Sequence, residues 1–134
     1  QLGKEEKKNG GIYFTPPTTV IKTLELLKPY MKSIKNILEP SCGSCEYILE
    51  LSKHSDIRIV GIEFNKTILE SIKSLENDSV TLMNEDFMLY DSQMKYDLII
   101  GNPPFFVMKK KDVEKSYYDY FEGRPNIFVL FIIK

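Results

Sequence analysis

Short apolar runs alternate with segments of helical periodicity along most of the chain, and this alternation is the feature that most constrains the fold. Four runs are rich in Ile, Leu and Val, and turn-forming or polar residues bound each of them. Because these runs show no polar face, they are typical of strands buried on both sides of a parallel sheet. The predicted strands are Ile34 to Glu39, Ile57 to Glu63, Ser79 to Met83 and Tyr96 to Gly101.

Before the first run and between the later ones, apolar residues recur at spacings of three and four, which is the pattern of helices with one buried face. The predicted helices span Pro16 to Met31, Cys45 to Lys53 and Asn65 to Leu75. Proline is tolerated in the first turn of the leading helix, and Thr15 is a candidate cap. Strands that alternate with helices predict an α/β fold with a doubly wound, mostly parallel sheet.

The composition fits one globular domain, with 134 residues of which 43% are hydrophobic and 28% charged. The apolar runs are far shorter than the roughly 18 residues of a membrane span, so we expect a soluble protein. Two cysteines close in sequence favour a reducing compartment, and we predict a cytoplasmic location. We expect residues 1–10 to be a flexible segment and residues 11–134 to form the domain.

The net charge of −1 gives no overall attraction for nucleic acid, so any such contact must come from a local patch. Lys109, Lys110 and Lys111, with Lys115 nearby, form the dense basic cluster of the chain. This cluster either contacts phosphate groups or is a solvated loop.

Ligands of doubly wound sheets bind beyond the carboxyl ends of the strands, where the strand order reverses. Asn102, Pro103, Pro104 and Phe105 follow the fourth predicted strand directly. The prolines stiffen this turn and leave carbonyl groups unpaired. An amide oxygen beside a fixed carbonyl can accept hydrogen bonds from both hydrogens of an exocyclic amine. The aromatic side chain can stack on the ring that carries this amine. The bland interpretation is a turn that ends the strand.

A second group of candidates follows the first two predicted strands. The first strand ends in the segment Glu39, Pro40, Ser41, Cys42 and Gly43, and the second ends at Glu63. A glycine there allows close backbone approach, and an acid after the second strand suits a ribose diol. Taken singly, Gly43 is better explained as a plain turn and Glu63 as a solvated carboxylate. Their conjunction favours a nucleoside site.

Cys42 and Cys45 lie at the predicted start of a helix and allow a rival interpretation as a redox pair. With one histidine, His54, and no further cysteine, a tetrahedral zinc site cannot be completed. The redox interpretation leaves Glu63, Asn102 and Asp86, an acid just after the third predicted strand, unexplained.

These motifs, in this order, resemble the S-adenosylmethionine-dependent methyltransferases that modify the exocyclic N6 amine of adenine in DNA. The resemblance covers nearly the whole chain from about Gly11, and it lies in the group whose cofactor motifs precede the catalytic motif. It implies a Rossmann-like sheet of the class I methyltransferase type, cut after the fourth strand, with S-adenosylmethionine as the cofactor. The cofactor-binding residues it implies are Thr15, Pro16, Glu39, Pro40, Ser41, Cys42, Gly43, Glu63, Phe64, Asp86, Phe87 and Asn102.

Asn102, Pro103, Pro104 and Phe105 are similar to the catalytic motif of that family. The resemblance implies that an adenine leaves the duplex, that Asn102 and the Pro103 carbonyl bind its amine, and that Phe105 stacks on its ring. The same motif serves methyltransferases of RNA adenine and of protein glutamine, although the motif from Thr15 to Pro17 favours DNA. A redox or non-catalytic cofactor-binding role is the alternative from another class.

The chain departs from the family pattern in two ways. Cys45 stands where the family usually has a second glycine, which raises the question of how closely the cofactor can approach. The chain also ends as a segment similar to the next motif begins, at residues 126–134. We therefore interpret it as the first part of a catalytic domain without its target-recognition domain. We expect the isolated chain to be inactive and to associate through an open sheet edge.

Overall fold

The computed structural model describes residues 15–43, 45–54 and 56–102, together with Lys115. Its α-helices are α1 (Pro17–Leu27), α2 (Glu46–Leu51) and α3 (Lys66–Ile72). Its strands are β1 (Asn36–Glu39), β2 (Arg58–Ile62), β3 (Val80–Met83) and β4 (Leu98–Ile99). Short 3-10 helices cover Lys28–Ser33, Lys73–Leu75 and Phe87–Leu89. The predictions for residues 1–14, 103–111 and 126–134 lie outside the described residues.

The four strands form one sheet in the order β3-β2-β1-β4, and each neighbouring pair is parallel. The chain moves outward from β1 to β3 and then returns to place β4 on the other side of β1. The strand order therefore reverses between β1 and β4. This topology confirms the predicted doubly wound α/β fold, and it puts the ligand-binding edge at the ends of these two strands.

The core lies on both faces of the inner strands. Ile37 and Leu38, which are adjacent in β1, are both buried, and the same holds for Gly61 and Ile62 in β2. The helices contribute apolar side chains to this core, among them Val20, Ile48, Leu51, Leu69 and Ile72. This burial on both faces agrees with the continuous apolar runs in the sequence, because a strand that is covered on both faces needs apolar side chains on each of them.

The predicted fourth strand differs from this pattern. Pairing with β1 covers only Leu98 and Ile99, and Ile99 is 62% exposed. The prediction that this run is buried on both faces is therefore wrong for the described residues, because β4 lies at the edge of the described sheet. Asp97 fixes the start of β4, since its Oδ2 accepts hydrogen bonds from the backbone N–H groups of Lys35 at 2.8 Å and Asn36 at 2.9 Å.

The helix starts follow local chemistry. Pro16 occupies the N-cap position of α1 without a side-chain hydrogen bond, so the suggestion that Thr15 caps this helix is wrong. Proline at this point locks the extended backbone, and its carbonyl accepts from Thr19 and Val20 instead. Asn65 caps α3, where its Oδ1 accepts from the Ile68 N–H at 3.1 Å. Among the described residues, none of the helices has the length and hydrophobicity that a membrane span needs.

Candidate active site

Backbone hydrogen bonds gather the carboxyl ends of the strands at one edge of the sheet. The Cys42 N–H, just beyond β1, donates to the Ile62 carbonyl at 2.9 Å, and the Glu63 N–H donates to the Met83 carbonyl at 2.9 Å. On the other side of β1, the Ser41 hydroxyl donates to the Asn102 carbonyl at 3.2 Å. The structure thus brings together the predicted site residues that follow β1, β2 and β4.

Glu63 ties the first two loops to each other. Its Oε1 accepts from the Gly43 N–H at 2.9 Å, and its Oε2 accepts from the Asn65 N–H at 2.8 Å. Burial raises the pKa of this carboxyl, and the backbone hydrogen bonds oppose that rise. Each oxygen still has acceptor capacity, because a carboxylate offers about four lone-pair directions. Glu63 can therefore accept further hydroxyl hydrogens while it orders the loop after β1.

Glu39 ends β1 and is the other buried acid of the site. It is 2% exposed, and its Oε2 has no hydrogen-bond partner. Gly101, beyond β4, packs closely against it, since a Cβ on this glycine would lie 3.3 Å from the Glu39 Cγ. Burial is the main reason that the pKa of Glu39 lies well above its usual range. Such an acid requires a ligand or a proton to satisfy it.

The loop between β1 and α2 turns through left-handed backbone at two of its described positions. Gly43 has φ 55°, and Cys45 has φ 65° with ψ 35°. Left-handed geometry suits glycine, so the loop keeps a glycine-like conformation at Cys45 although the side chain has a Cβ. The expected tight turn is present at Gly43, and the departure at Cys45 does not change the backbone conformation that a glycine favours.

Cys42 and Cys45 are free and fully buried. A hydrogen bond with the Cys45 side chain, together with burial, raises the pKa of the Cys42 thiol. A reactive thiol needs the opposite shift, because the thiolate is the nucleophile. This geometry weighs against the redox interpretation of the pair.

The residues after β2 and β3 flank the acids. Phe64 is 75% exposed, which leaves its ring available for stacking. Asn84 holds the backbone of the segment that carries this ring, because its Nδ2 donates to the carbonyls of Glu63 and Phe64 at 2.9 and 3.0 Å. Asp86 caps the short helix that starts at Phe87, accepting from the Met88 N–H at 3.0 Å, and Phe87 is buried. Sequence reasoning missed Asn84, and the only available signal was a polar amide directly after a strand.

Some of the remaining predicted site residues lie in the described part of the chain and others do not. Thr15 is buried and Pro16 exposed at the start of α1. Pro40 forms part of the turn after β1, and Asn102 lies beyond β4 beside Ser41. Pro103, Pro104, Phe105 and the basic residues Lys109, Lys110 and Lys111 lie outside the described residues.

The parallel sheet and its helices form a Rossmann-like fold of the class I methyltransferase type. A solved structure of a Listeria monocytogenes protein, assigned to the class I S-adenosylmethionine-dependent methyltransferases, superposes with a TM-score of 0.71 at 22% sequence identity. The superposition covers 90% of this chain and 41% of that chain.

The sequence matches the Eco57I restriction-modification methylase family over residues 11–134, and the chain belongs to that family. It is 36% identical over 107 residues to the type II methyltransferase M.CvrRI of Paramecium bursaria Chlorella virus XZ-6E, covering 79% of this chain and 27% of that protein. It is 34% identical over 136 residues to the modification methylase CviBIII of Paramecium bursaria Chlorella virus NC1A, covering 99% of this chain and 35% of that protein. These findings confirm the resemblance to restriction-modification methyltransferases.

A third relative is the tRNA1(Val) (adenine(37)-N6)-methyltransferase of Bacteroides thetaiotaomicron. It is 32% identical over 78 residues, which cover 53% of this chain and 33% of that protein. The chain therefore spans about a quarter to a third of the length of the curated relatives it matches.

Proposed function

We propose that this chain carries the cofactor site and the start of the catalytic motif of an S-adenosylmethionine-dependent methyltransferase that modifies the N6 amine of adenine in DNA. The observation that carries the proposal is a pair of buried acids at the carboxyl edge of the sheet, with Glu39 at the reversal point and Glu63 after the neighbouring strand β2. Membership of a restriction-modification methylase family supports methyl transfer to DNA as the activity.

The residues of this edge fit S-adenosylmethionine chemically. That cofactor carries positive charge, a ribose diol and an adenine ring, and it supplies an electrophilic methyl group. Glu63 keeps acceptor capacity for a diol beyond its two backbone partners. Glu39 has an unsatisfied carboxyl oxygen that suits positive charge. Phe64 is exposed for stacking, and Asp86 and Phe87 lie next along the same edge.

Asn102 is the residue to which we assign amine binding. It follows β4 beside the reversal point, and the hydrogen bond from Ser41 to its carbonyl holds this backbone against the loop after β1. The lone pair of an adenine amine is delocalised into the ring, so the amine is a weak nucleophile. Hydrogen bonds from its two hydrogens to the Asn102 amide oxygen and the Pro103 carbonyl favour a tetrahedral, more reactive nitrogen. Positioning and fixed dipoles then supply most of the rate.

We assign the other predicted roles to the same proposal. Pro104 stiffens the catalytic turn, Phe105 stacks on the flipped adenine, and Thr15 and Pro16 border the cofactor. Lys109, Lys110 and Lys111 contact phosphate, and residues 11–134 form the first part of the catalytic domain. We expect the chain by itself to transfer no methyl groups to duplex DNA, since the relatives are about three times longer. We also expect it to associate through the outer edge of β4.

RNA adenine is the second candidate acceptor, because the tRNA relative is named for transfer to adenine N6. The restriction-modification relatives match a larger share of this chain, which favours DNA.

The test is a transfer assay with methyl-labelled S-adenosylmethionine and a panel of duplex DNA, transfer RNA and protein acceptors. The enzyme is the chain joined to the downstream segment found in its relatives, with the 134-residue chain assayed beside it. We expect label on adenine N6 of DNA only. Asn102→Ala should lower the single-turnover rate by about 100-fold, as expected for loss of a fixed dipole.

Cofactor affinity of the same variant is the internal control and should stay within a few-fold of the unmodified enzyme. Label on RNA or protein alone would replace DNA as the acceptor. A normal single-turnover rate in Asn102→Ala would remove its catalytic role.

A further inference from the structure

The carboxyl group of Glu39 is buried at the end of β1, and one of its two oxygens has no hydrogen-bond partner. Only 2% of the residue is exposed, and its Oε2 has no partner. Glu63, which is 8% exposed, differs because two backbone N–H groups donate to its carboxylate. A buried carboxylate oxygen that loses water and gains no donor disfavours the ionised form of the group, whereas the protonated form is neutral.

The surroundings of Glu39 oppose ionisation further. In the part of the chain that the structure describes, the titratable groups that act on it are Cys42 in the following loop, Glu46 in α2 and Glu63 after β2. Glu46 and Glu63 are carboxyl groups, and their negative charge raises the pKa of Glu39 beyond the effect of burial, while the Cys42 thiol brings no positive charge. From the β4 side, Gly101 packs against the Glu39 Cγ and brings no charge.

We propose that Glu39 is protonated while the site is empty and releases its proton to solvent when a cationic ligand binds beside it. The inference rests on the proposed function in one respect, which is that the cation is S-adenosylmethionine. The exchange balances in charge, because the carboxylic acid becomes a carboxylate and a free proton while one positive charge enters the site. No bond other than O–H breaks, and no electron is transferred.

Two consequences follow from this exchange. Affinity for the cationic cofactor rises with pH while Glu39 is protonated in the empty site, because proton release then drives binding. A neutral ligand with the same nucleoside gives no such dependence. 5′-Methylthioadenosine is such a ligand, since it has the nucleoside and sulfur but neither the sulfonium nor the ammonium charge.

Isothermal titration calorimetry at pH 7 in phosphate and in Tris measures the proton count, because the two buffers differ in ionisation enthalpy. We expect the binding enthalpy of S-adenosylmethionine to differ between the buffers by an amount that corresponds to release of up to about one proton per ligand. The binding enthalpy of 5′-methylthioadenosine should be the same in both buffers. Glu39→Gln should remove the difference, and Glu70→Gln, the same change at an exposed position, should keep it.

Infrared difference spectroscopy keeps the proposal testable if Glu39→Gln binds too weakly for calorimetry. The empty chain should show the carbonyl band of a protonated carboxylic acid, absent from Glu39→Gln and present in Glu70→Gln. The band should disappear when S-adenosylmethionine is added, and should persist with 5′-methylthioadenosine. Binding of S-adenosylmethionine without proton release, and with no such band in the empty chain, would overturn the exchange and leave the proposed function standing. Failure of S-adenosylmethionine to bind would overturn both.

Discussion

Cys45 combines a fully buried side chain with a backbone conformation that suits glycine. Its φ of 65° and ψ of 35° lie in the left-handed region, and its side chain is 0% exposed. Left-handed geometry costs an ordinary residue roughly 1–2 kcal/mol, because Cβ approaches the following carbonyl oxygen. The residue therefore retains strain at the loop that connects β1 with α2.

Removing the Cβ should relieve that strain. We expect Cys45→Gly to be more stable than Cys45→Ala by about 0.5–1 kcal/mol, because both variants lose the thiol and only alanine keeps the left-handed cost. Urea denaturation gives the two free energies of unfolding. Cys42 is the matched control, since it is equally buried and has no positive φ. There the alanine variant should be the more stable of the two, and the same order at both positions would contradict the argument.

At the residue scale, the sequence predicted which candidate residues lie beyond the strand ends, but not the hydrogen bonds or the burial of their side chains. The positions of Glu39, Glu63 and Asn102 follow from the rule that ligands bind beyond strand ends. The unpartnered oxygen of Glu39 could not be predicted, because it depends on burial by residues distant in the chain. For the same reason, the position of Asn84 directly after β3 did not reveal the hydrogen bonds that it donates to the carbonyls of Glu63 and Phe64.

The elements were predictable in type and order, and their ends were not. All four described strands form inside the predicted runs, and the three helices form inside the predicted helical segments. The ends differ because pairing, and not apolar content, decides where a strand stops. Tyr96 to Gly101 is apolar enough for a longer strand, but the register with β1 pairs only Leu98 and Ile99.

Gly61 shows how two elements pack closely against a third. The periodicity of the sequence does not predict this contact. A Cβ at this position in β2 would lie 2.7 Å from the Ile48 Cδ1 of α2 and 2.9 Å from the Leu82 Cδ2 of β3. These distances are too short for carbon atoms, so Gly61→Ala would force side chains to move in a dense core. The helix that follows the candidate cofactor loop therefore packs directly on this glycine.

We expect Gly61→Ala to reduce the free energy of unfolding by about 1–3 kcal/mol, the usual range for overpacking. Ile48→Val removes the nearest atom, Cδ1, and should recover part of that loss in the double variant. A double-mutant cycle from urea denaturation measures the coupling, which should be about 0.5 kcal/mol or more in favour of the pair. Additive effects of the two changes would show that α2 does not pack on Gly61 as described.

At the scale of the whole molecule, the buried and exposed acids act on stability in opposite directions. Asp97 and Glu76 accept backbone hydrogen bonds, which lower the pKa of each carboxyl. They stabilise the fold above their unfolded pKa, and that contribution is lost as pH falls through the lowered value. The pKa values of Glu39 and Glu63 are raised, chiefly by burial. Their cost begins above the unfolded pKa of about 4.3 and grows until pH reaches the raised folded value.

Stability of the ligand-free chain should therefore be highest at mildly acidic pH, decline below about pH 4 and decline again toward neutral pH. Glu39→Gln distinguishes the decline toward neutral pH from the decline at acidic pH, because a neutral amide of similar shape has no ionisation cost. We expect its unfolding free energy to exceed that of the unmodified chain at pH 8, and this advantage should shrink steadily as pH falls toward about 4.5. Chemical denaturation across this range is the measurement, and Glu70→Gln is the exposed control that should follow the unmodified chain. Parallel stability curves for Glu39→Gln and the unmodified chain would show that the carboxyl of Glu39 is ionised in the empty site.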